Sequence, residues 1–137
     1  MWKRAHQSSL PDKSFAVCEY IPEDQILKEW QEMVSITFSS DTEHTIPELL
    51  AITKAQVFGA HRHSHVTWTI HKATENDAIY EWSIPKGHYR MAPQVHLVRL
   101  IKSENGAHSL VYSKKSPQID DEARQDWMDY FSLGKVE

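Results

Sequence analysis

Alternation of apolar and polar residues along neighbouring segments is the feature that most limits how this chain can fold. Val66, Trp68 and Ile70 recur at every second position, and after a short turn, ATEND, the stretch up to Ile84 alternates again. Successive side chains on a strand point to opposite faces, so this period of two predicts a hairpin of two antiparallel strands.

The same period recurs in four further segments, which are bounded by turn residues such as proline, glycine and asparagine. These segments are Ser14–Ile21, Met33–Ser40, Gln94–Ser103 and His108–Lys115. Between the first two, the stretch PEDQILKEW suggests a short helical turn whose Ile26, Leu27 and Trp30 point inward.

Two longer segments carry the sequence pattern of a helix. Thr45-Ile46-Pro47-Glu48 forms a capping box, and apolar residues follow at helical spacing up to Ala60. Near the C-terminus, Asp120 or Asp121 can cap a second helix that closes at Gly134-Lys135. The predicted buried stripe of this second helix consists of Ala123, Trp127, Tyr130 and Phe131.

The resulting order, β-β-α-β-β-β-β-α, has short connections between neighbouring strands. It predicts an α+β fold, with a single mainly antiparallel sheet of about six strands and two helices packed on one face. Residues 1–13 are polar and contain a proline, so they are predicted to form a flexible N-terminal arm. Residues 14–137 then form one α+β domain, a size that can bury a substantial core.

Composition argues against several classes of protein. The net charge is −4 and the basic residues are scattered, which argues against nucleic acid as a partner. No apolar run is long enough to predict a transmembrane segment. The first residues contain no apolar stretch, so the chain as written is expected in the cytoplasm, or in the periplasm or outside the cell if a signal peptide was removed. Cys18 is the single cysteine, so neither an internal disulfide nor a Cys-based zinc cluster can form.

Histidines are concentrated in the stretch AHRHSHVTWTIHK, where His61, His63 and His65 occupy alternate positions. Three explanations stay open at the level of sequence: a solvated strand edge, a metal site, and a partner-contacting or pH-sensing patch. The residues predicted to contact a partner are those that share one parity along the strand, namely His65, Thr67, Thr69 and His71.

The metal hypothesis assigns His61, His63 and His65 as ligands, with zinc as the implied cofactor. A straight strand can bring two alternate histidines to one ion, whereas a stable site needs three or four ligands. A further imidazole could come from His96 or His108, and a carboxylate from Glu43 or Glu81. The metal hypothesis therefore requires a bend in the chain or a ligand from elsewhere.

Sequence motifs typical of enzymes are missing from the chain. There is no nucleophile elbow, no phosphate-binding glycine loop and no HExxH motif, so no catalytic residue is assigned. The sequence therefore favours a non-catalytic protein-binding or adaptor domain that acts without a cofactor and contacts a protein partner. The alternative is a histidine-based metal-binding protein.

Two segments resemble small bacterial proteins of unknown function. These segments are EYIPEDQILKEWQEMVSITF and the C-terminal pair VHLVRLIKSENGAHSLVYSKK and EARQDWMDYF. The positions that carry the likeness are Tyr20, Pro22, Trp30, Met33, Ile36, Arg99, Tyr112 and Trp127. The resemblance implies a bacterial origin and proteins that are often exported, and it implies no catalytic residue.

Overall fold

The computed structural model describes residues 1–85 and 92–133. The strands are β1 (Trp2–Ser9), β2 (Phe15–Pro22), β3 (Glu32–Ser39), β4 (Thr67–Ala73), β5 (Asp77–Ile84), β6 (Gln94–Ser103) and β7 (Gly106–Lys114), and the helices are α1 (Ile46–Ala60) and α2 (Asp121–Leu133). The predicted helix end at Gly134-Lys135 and most of the predicted loop between β5 and β6 lie outside the described residues.

The seven strands form one sheet in the order β1-β2-β3-β7-β6-β5-β4, and every neighbouring pair is antiparallel. The α+β class, the single antiparallel sheet and the two helices are therefore confirmed. The sheet has seven strands rather than about six, and β1 and β4 form its two edges.

The additional strand, β1, lies within the segment that was predicted to be a flexible arm. It pairs with β2 from Trp2 to Ser9, with an irregularity between Arg4 and His6. An edge strand makes main-chain hydrogen bonds on one side only, so a polar sequence can form it without an alternating apolar pattern. The prediction that residues 1–13 form a flexible arm is therefore wrong for residues 2–9.

The two helices cover opposite faces of the sheet. Ile46 and Leu50 of α1 pack with Ala78 and Tyr80 of β5, together with Val98 of β6. Helix α2 instead packs, through Phe131, with residues of the other parity on the same strands, including Ile79 and Leu97. Because alternate residues of a strand face opposite ways, the fold has three layers, and the predicted placement of both helices on one face is corrected.

The start of each helix follows from its sequence. The main-chain N–H of Thr45 donates to Glu48 Oε1 at 3.1 Å, and the N–H of Glu48 donates to Thr45 Oγ1 at 3.3 Å, so the predicted capping box is confirmed. In α2, the N–H of Ala123 donates to Asp120 Oδ1 at 2.7 Å. These bonds satisfy main-chain donors that have no partner inside the first helical turn.

Helix α2 is held on its face by aromatic packing. The ring of Trp127 stacks on that of Tyr112, with ring centroids 4.3 Å apart, and lies edge-on to Trp2 at 6.1 Å. Phe131 is buried, whereas Tyr130 is 64% exposed and does not belong to the buried stripe. Ile26 and Leu27 are also exposed, and the short 3-10 helix Leu27–Glu29 buries none of its residues.

Two arginine–carboxylate pairs also stabilise this side of the fold. One joins α2 to the sheet, and the other joins two strands beneath α2. Arg124 of α2 donates to Glu81 Oε1 from Nε at 2.6 Å and to Glu81 Oε2 from Nη2 at 3.2 Å. Arg99 of β6 binds Asp77 through Nε and Nη2 and donates from Nη1 to the carbonyl oxygen of Phe131. Burial raises the pKa of Asp77, but the Arg99 guanidinium and the Lys72 ammonium together outweigh it and the net pKa lies below its usual value.

Candidate binding site

The predicted partner-contacting residues lie where β4 meets β5. Thr67 and Thr69 are opposite Ser83 and Glu81 in the β4–β5 register, on the face that α2 covers. The hydroxyl groups of Thr67 and Ser83 are hydrogen-bonded, and Nε2 of His71 lies 3.2 Å from Glu81 Oε1. Thr67 and His71, two of the four predicted residues, therefore already have polar partners within the sheet. His65 is exposed just before β4 begins.

The three alternating histidines do not lie on a strand. His61 is the C-terminal cap of α1, its main-chain N–H donating to Val57 O at 3.1 Å, and the chain then turns before β4 begins at Thr67. Arg62 Nε donates to His63 Nε2 at 3.3 Å. Alternate positions share a face only on a strand, so the interpretation of these residues as one strand edge is corrected.

The structure also separates the other proposed ligands. His96 packs against Trp82 on the α1 side of the sheet, whereas His108 packs against Phe38 on the α2 side. Across the described residues, no group of three or more His, Cys, Asp or Glu side chains could hold a metal ion.

A stack of three rings lies at the C-terminal end of α1. Trp82 stacks on His96 with centroids 4.0 Å apart, and His61 lies on Trp82 at 5.6 Å. Nδ1 of His96 is 2.7 Å from Ser113 Oγ, and Nε2 is 2.6 Å from Gln94 Oε1. Burial, with a smaller contribution from the charge of His61, lowers the pKa of His96 to about 4. His96 is therefore neutral at pH 7, with Nε2 donating to the Gln94 oxygen and Nδ1 accepting from Ser113.

A groove lies between α1 and the edge strand β4 and is called here the α1–β4 groove. Its volume is about 900 Å³, within the range of ligand-binding clefts. Trp68 and Ile70 form its floor, and Ile46, Leu50 and Ala51 of α1 form its wall. Mainly apolar side chains thus line a cleft beside the edge strand β4.

The floor of the groove combines a fixed aromatic ring with an accessible aliphatic side chain. The ring of Trp68 stacks on Tyr80 with centroids 4.7 Å apart, which fixes its orientation. Ile70 is 49% exposed although it belongs to the apolar face of its strand. A strand residue of this kind is normally covered, so the structure leaves apolar surface available at this position.

Charged residues also line the groove. Lys54 of α1 and Lys102 of β6 both line it, together with Glu75 in the β4–β5 turn. Nζ of Lys54 lies 5.7 Å from the centre of the Phe58 ring, and within the described chain neither lysine forms a salt bridge. The groove therefore has two ammonium groups and one carboxylate on its border.

The side of α1 that faces away from the sheet is apolar as well. Helix α1 has two charged residues, Glu48 and Lys54, among fifteen, whereas α2 has five among thirteen. Ile52 and Phe58 of α1 are each 40% exposed. The exposed residues of α1 are mainly apolar, with Glu48, Lys54 and Gln56 among them, so this outer side resembles a contact surface more than a solvated one.

Sequence reasoning missed the groove and the outer side of α1, although one indication was present. The helix sequence IPELLAITKAQVFGA contains too few polar residues to cover a solvent-facing side. The groove itself depends on the distance between a helix and a strand, which no local pattern encodes.

Comparison with protein-family models, with curated proteins and with solved structures finds no match to this chain. Within residues 1–85 and 92–133, no helix is both long enough and apolar enough to cross a membrane.

Proposed function

We propose that this chain is a non-catalytic protein-binding or adaptor domain of bacterial origin. Its contact surface is the outer side of α1 together with the adjoining α1–β4 groove. The histidine and threonine side chains of β4 lie at the same edge of the sheet but on its opposite face, which α2 covers, so they are not part of this surface.

One observation carries the proposal: α1 is apolar on the side that faces away from its own sheet. Apolar side chains on a surface helix contribute binding free energy when a partner covers them, because they leave water. Ile52 and Phe58 are partly exposed residues of this kind; α2 also exposes Tyr130 and Leu133, but it carries five charged residues where α1 carries two.

Substitutions that introduce a charged residue on the outer side of α1 should weaken partner binding. We expect Ile52→Glu and Phe58→Glu each to reduce recovery of the native complex by about tenfold or more, the effect of losing roughly 1.4 kcal/mol of binding free energy. The measurement is affinity capture of the tagged protein from the cells that express it, with the captured partner quantified by mass spectrometry.

The matched control is Gln125→Glu, which adds the same charge to an exposed position of α2 and replaces the hydrogen bond from Gln125 Nε2 to Asp129 Oδ1 by a surface like-charge pair that costs only a few tenths of a kcal/mol, roughly. It should leave recovery of the complex unchanged. Equal recovery with all three variants would contradict the proposal. A purified protein that is dimeric, and that Ile52→Glu converts to a monomer, would show that a second copy covers this surface.

The alternative function is histidine-based metal binding, and one observation favours it. Nδ1 of His61 is buried and has no hydrogen-bond partner among the described residues. A zinc ion would satisfy this nitrogen, but its remaining ligands would have to come from a rearranged chain, because the described histidines are not grouped around it.

Zinc is expected to change the unfolding temperature of the tag-free protein by little, because two imidazoles alone hold zinc weakly. Calorimetry with and without zinc is the measurement, and His61→Gln/His63→Gln is the variant to compare. A zinc-dependent rise of several degrees that this double substitution abolishes would establish the metal function instead.

A further inference from the structure

The two edges of the sheet differ in how well they are protected against pairing with another strand. Edge strand β1 carries Lys3, Arg4 and His6 and has an irregular register, features that discourage the addition of a strand. Edge strand β4 has an irregularity as well, between Ile70 and Lys72, and carries His71 and Lys72 there, but from Thr67 to Ile70 it has no charged residue and its register with β5 is regular. This part of β4 is the less protected edge.

The α1–β4 groove opens along this same stretch. Trp68 and Ile70 form its floor, while α1 stands over the neighbouring strands β5 and β6. No described strand pairs with the outer edge of β4, so main-chain N–H and C=O groups of that edge lie beside the apolar floor. A ligand in the groove therefore meets apolar side chains and main-chain hydrogen-bonding groups together.

The presence of both apolar side chains and main-chain hydrogen-bonding groups distinguishes two kinds of ligand that could occupy the groove. A hydrocarbon chain would cover the main-chain groups of β4 without bonding to them, which costs free energy for each buried polar group. An extended peptide satisfies those groups and also places every second side chain over the groove.

We propose that the α1–β4 groove binds an extended peptide segment as an eighth strand beside β4, with alternate apolar side chains over Trp68 and Ile70 and an acidic group near Lys54 or Lys102. The inference rests on the proposed protein-binding function and specifies the conformation and chemistry of the bound segment. The acidic group follows from charge complementarity, since two ammonium groups and one carboxylate border the groove.

The probe is a phage-displayed library of random twelve-residue peptides, selected on the purified 137-residue chain. The proposal expects enriched peptides that alternate apolar residues and contain Asp or Glu. Ile70→Glu in the protein should weaken their binding by about tenfold or more, and Lys54→Glu should weaken binding of the acidic peptides. Ile36→Glu is the matched control, because Ile36 is a strand isoleucine that is 41% exposed on the other face.

Strand addition has a signature that binding of side chains alone lacks. Alternate residues of an added strand direct their N–H groups toward β4. N-methylation at those residues of a selected peptide should abolish binding, whereas N-methylation at the intervening residues should leave it. Equal effects of the two methylation patterns would overturn the proposal.

Two other outcomes would also overturn it. If the selection yields no peptide whose binding is weakened by Ile70→Glu, the groove is not a peptide site. If the protein instead binds oleate in the groove, the groove is a lipid site. Such a failure is distinguishable from failure of the proposed function, which is tested on the outer side of α1. A native complex lost with Ile52→Glu but retained with Ile70→Glu would support the protein-binding function, confine its contact surface to the outer side of α1, and remove this inference.

Discussion

Replacing Trp127 with alanine is expected to lower the free energy of unfolding by about 3–5 kcal/mol, the range for truncating a large aromatic residue in a core. Its ring stacks on Tyr112 of β7 and lies edge-on to Trp2 of β1, and it also touches Phe131 of its own helix, so the substitution removes contacts that hold α2 against two strands of the sheet. Urea denaturation followed by circular dichroism gives the change directly.

The matched control is Tyr130→Ala on the same helix. Tyr130 is 64% exposed and also touches Trp127, with ring centroids 5.7 Å apart. We expect this control to lose less than about 1 kcal/mol, as surface substitutions do. If Trp127→Ala costs no more than Tyr130→Ala, α2 is not part of the core.

The second large effect is a loss of stability as the pH falls below 6.5. The pKa of His96 is about 4 in the folded protein, against an ordinary value of 6.5. Below pH 6.5 the unfolded chain takes up a proton that the folded chain excludes. Stability is therefore full above this pH and falls until the pH reaches the folded pKa. The whole difference is about 3 kcal/mol, of which about 2 kcal/mol is lost between pH 6.5 and 5.

The effect is isolated by comparing the wild-type protein with His96→Gln across this pH range. His44, whose pKa is raised by its hydrogen bond with Asp41, changes stability in the opposite direction and is common to both proteins. The difference in slope between them therefore reports on His96. Parallel curves of unfolding free energy against pH would show that His96 is protonated as easily in the folded chain as in the unfolded one.

The sequence was sufficient where the structural information is local. The hairpin of β4 and β5 and the Thr45 capping box depend on residues within a few positions of each other, and the structure has both. Alternation failed at His61, His63 and His65 because a helix end and a turn precede the strand. Strand β1 was missed because main-chain pairing at an edge leaves little pattern in the side chains.

The faces chosen by the helices could not be predicted for a different reason. Ala78 and Tyr80 have one parity on β5 and Ile79 has the other, and all three are buried. A strand that is apolar on both faces can pack against a helix on either face. Which face each helix covers therefore depends on the whole chain. The candidate site depends on that choice, because the groove exists only where α1 leaves β4 uncovered.

The strand order has a consequence for how the sheet assembles. Five of its six described pairings join strands that follow one another in the chain, and the sixth joins β3 to β7. The closest partners in that sixth pairing, Ser39 and Ala107, are 68 positions apart. Closing a loop of this length costs roughly 4 kcal/mol in chain entropy, before any contact offsets it. Three strands on one side and four on the other can each form as a local meander, so cooperativity of the whole domain depends on the pairing of β3 with β7 and on Trp127 of α2, which contacts both Trp2 of β1 and Tyr112 of β7.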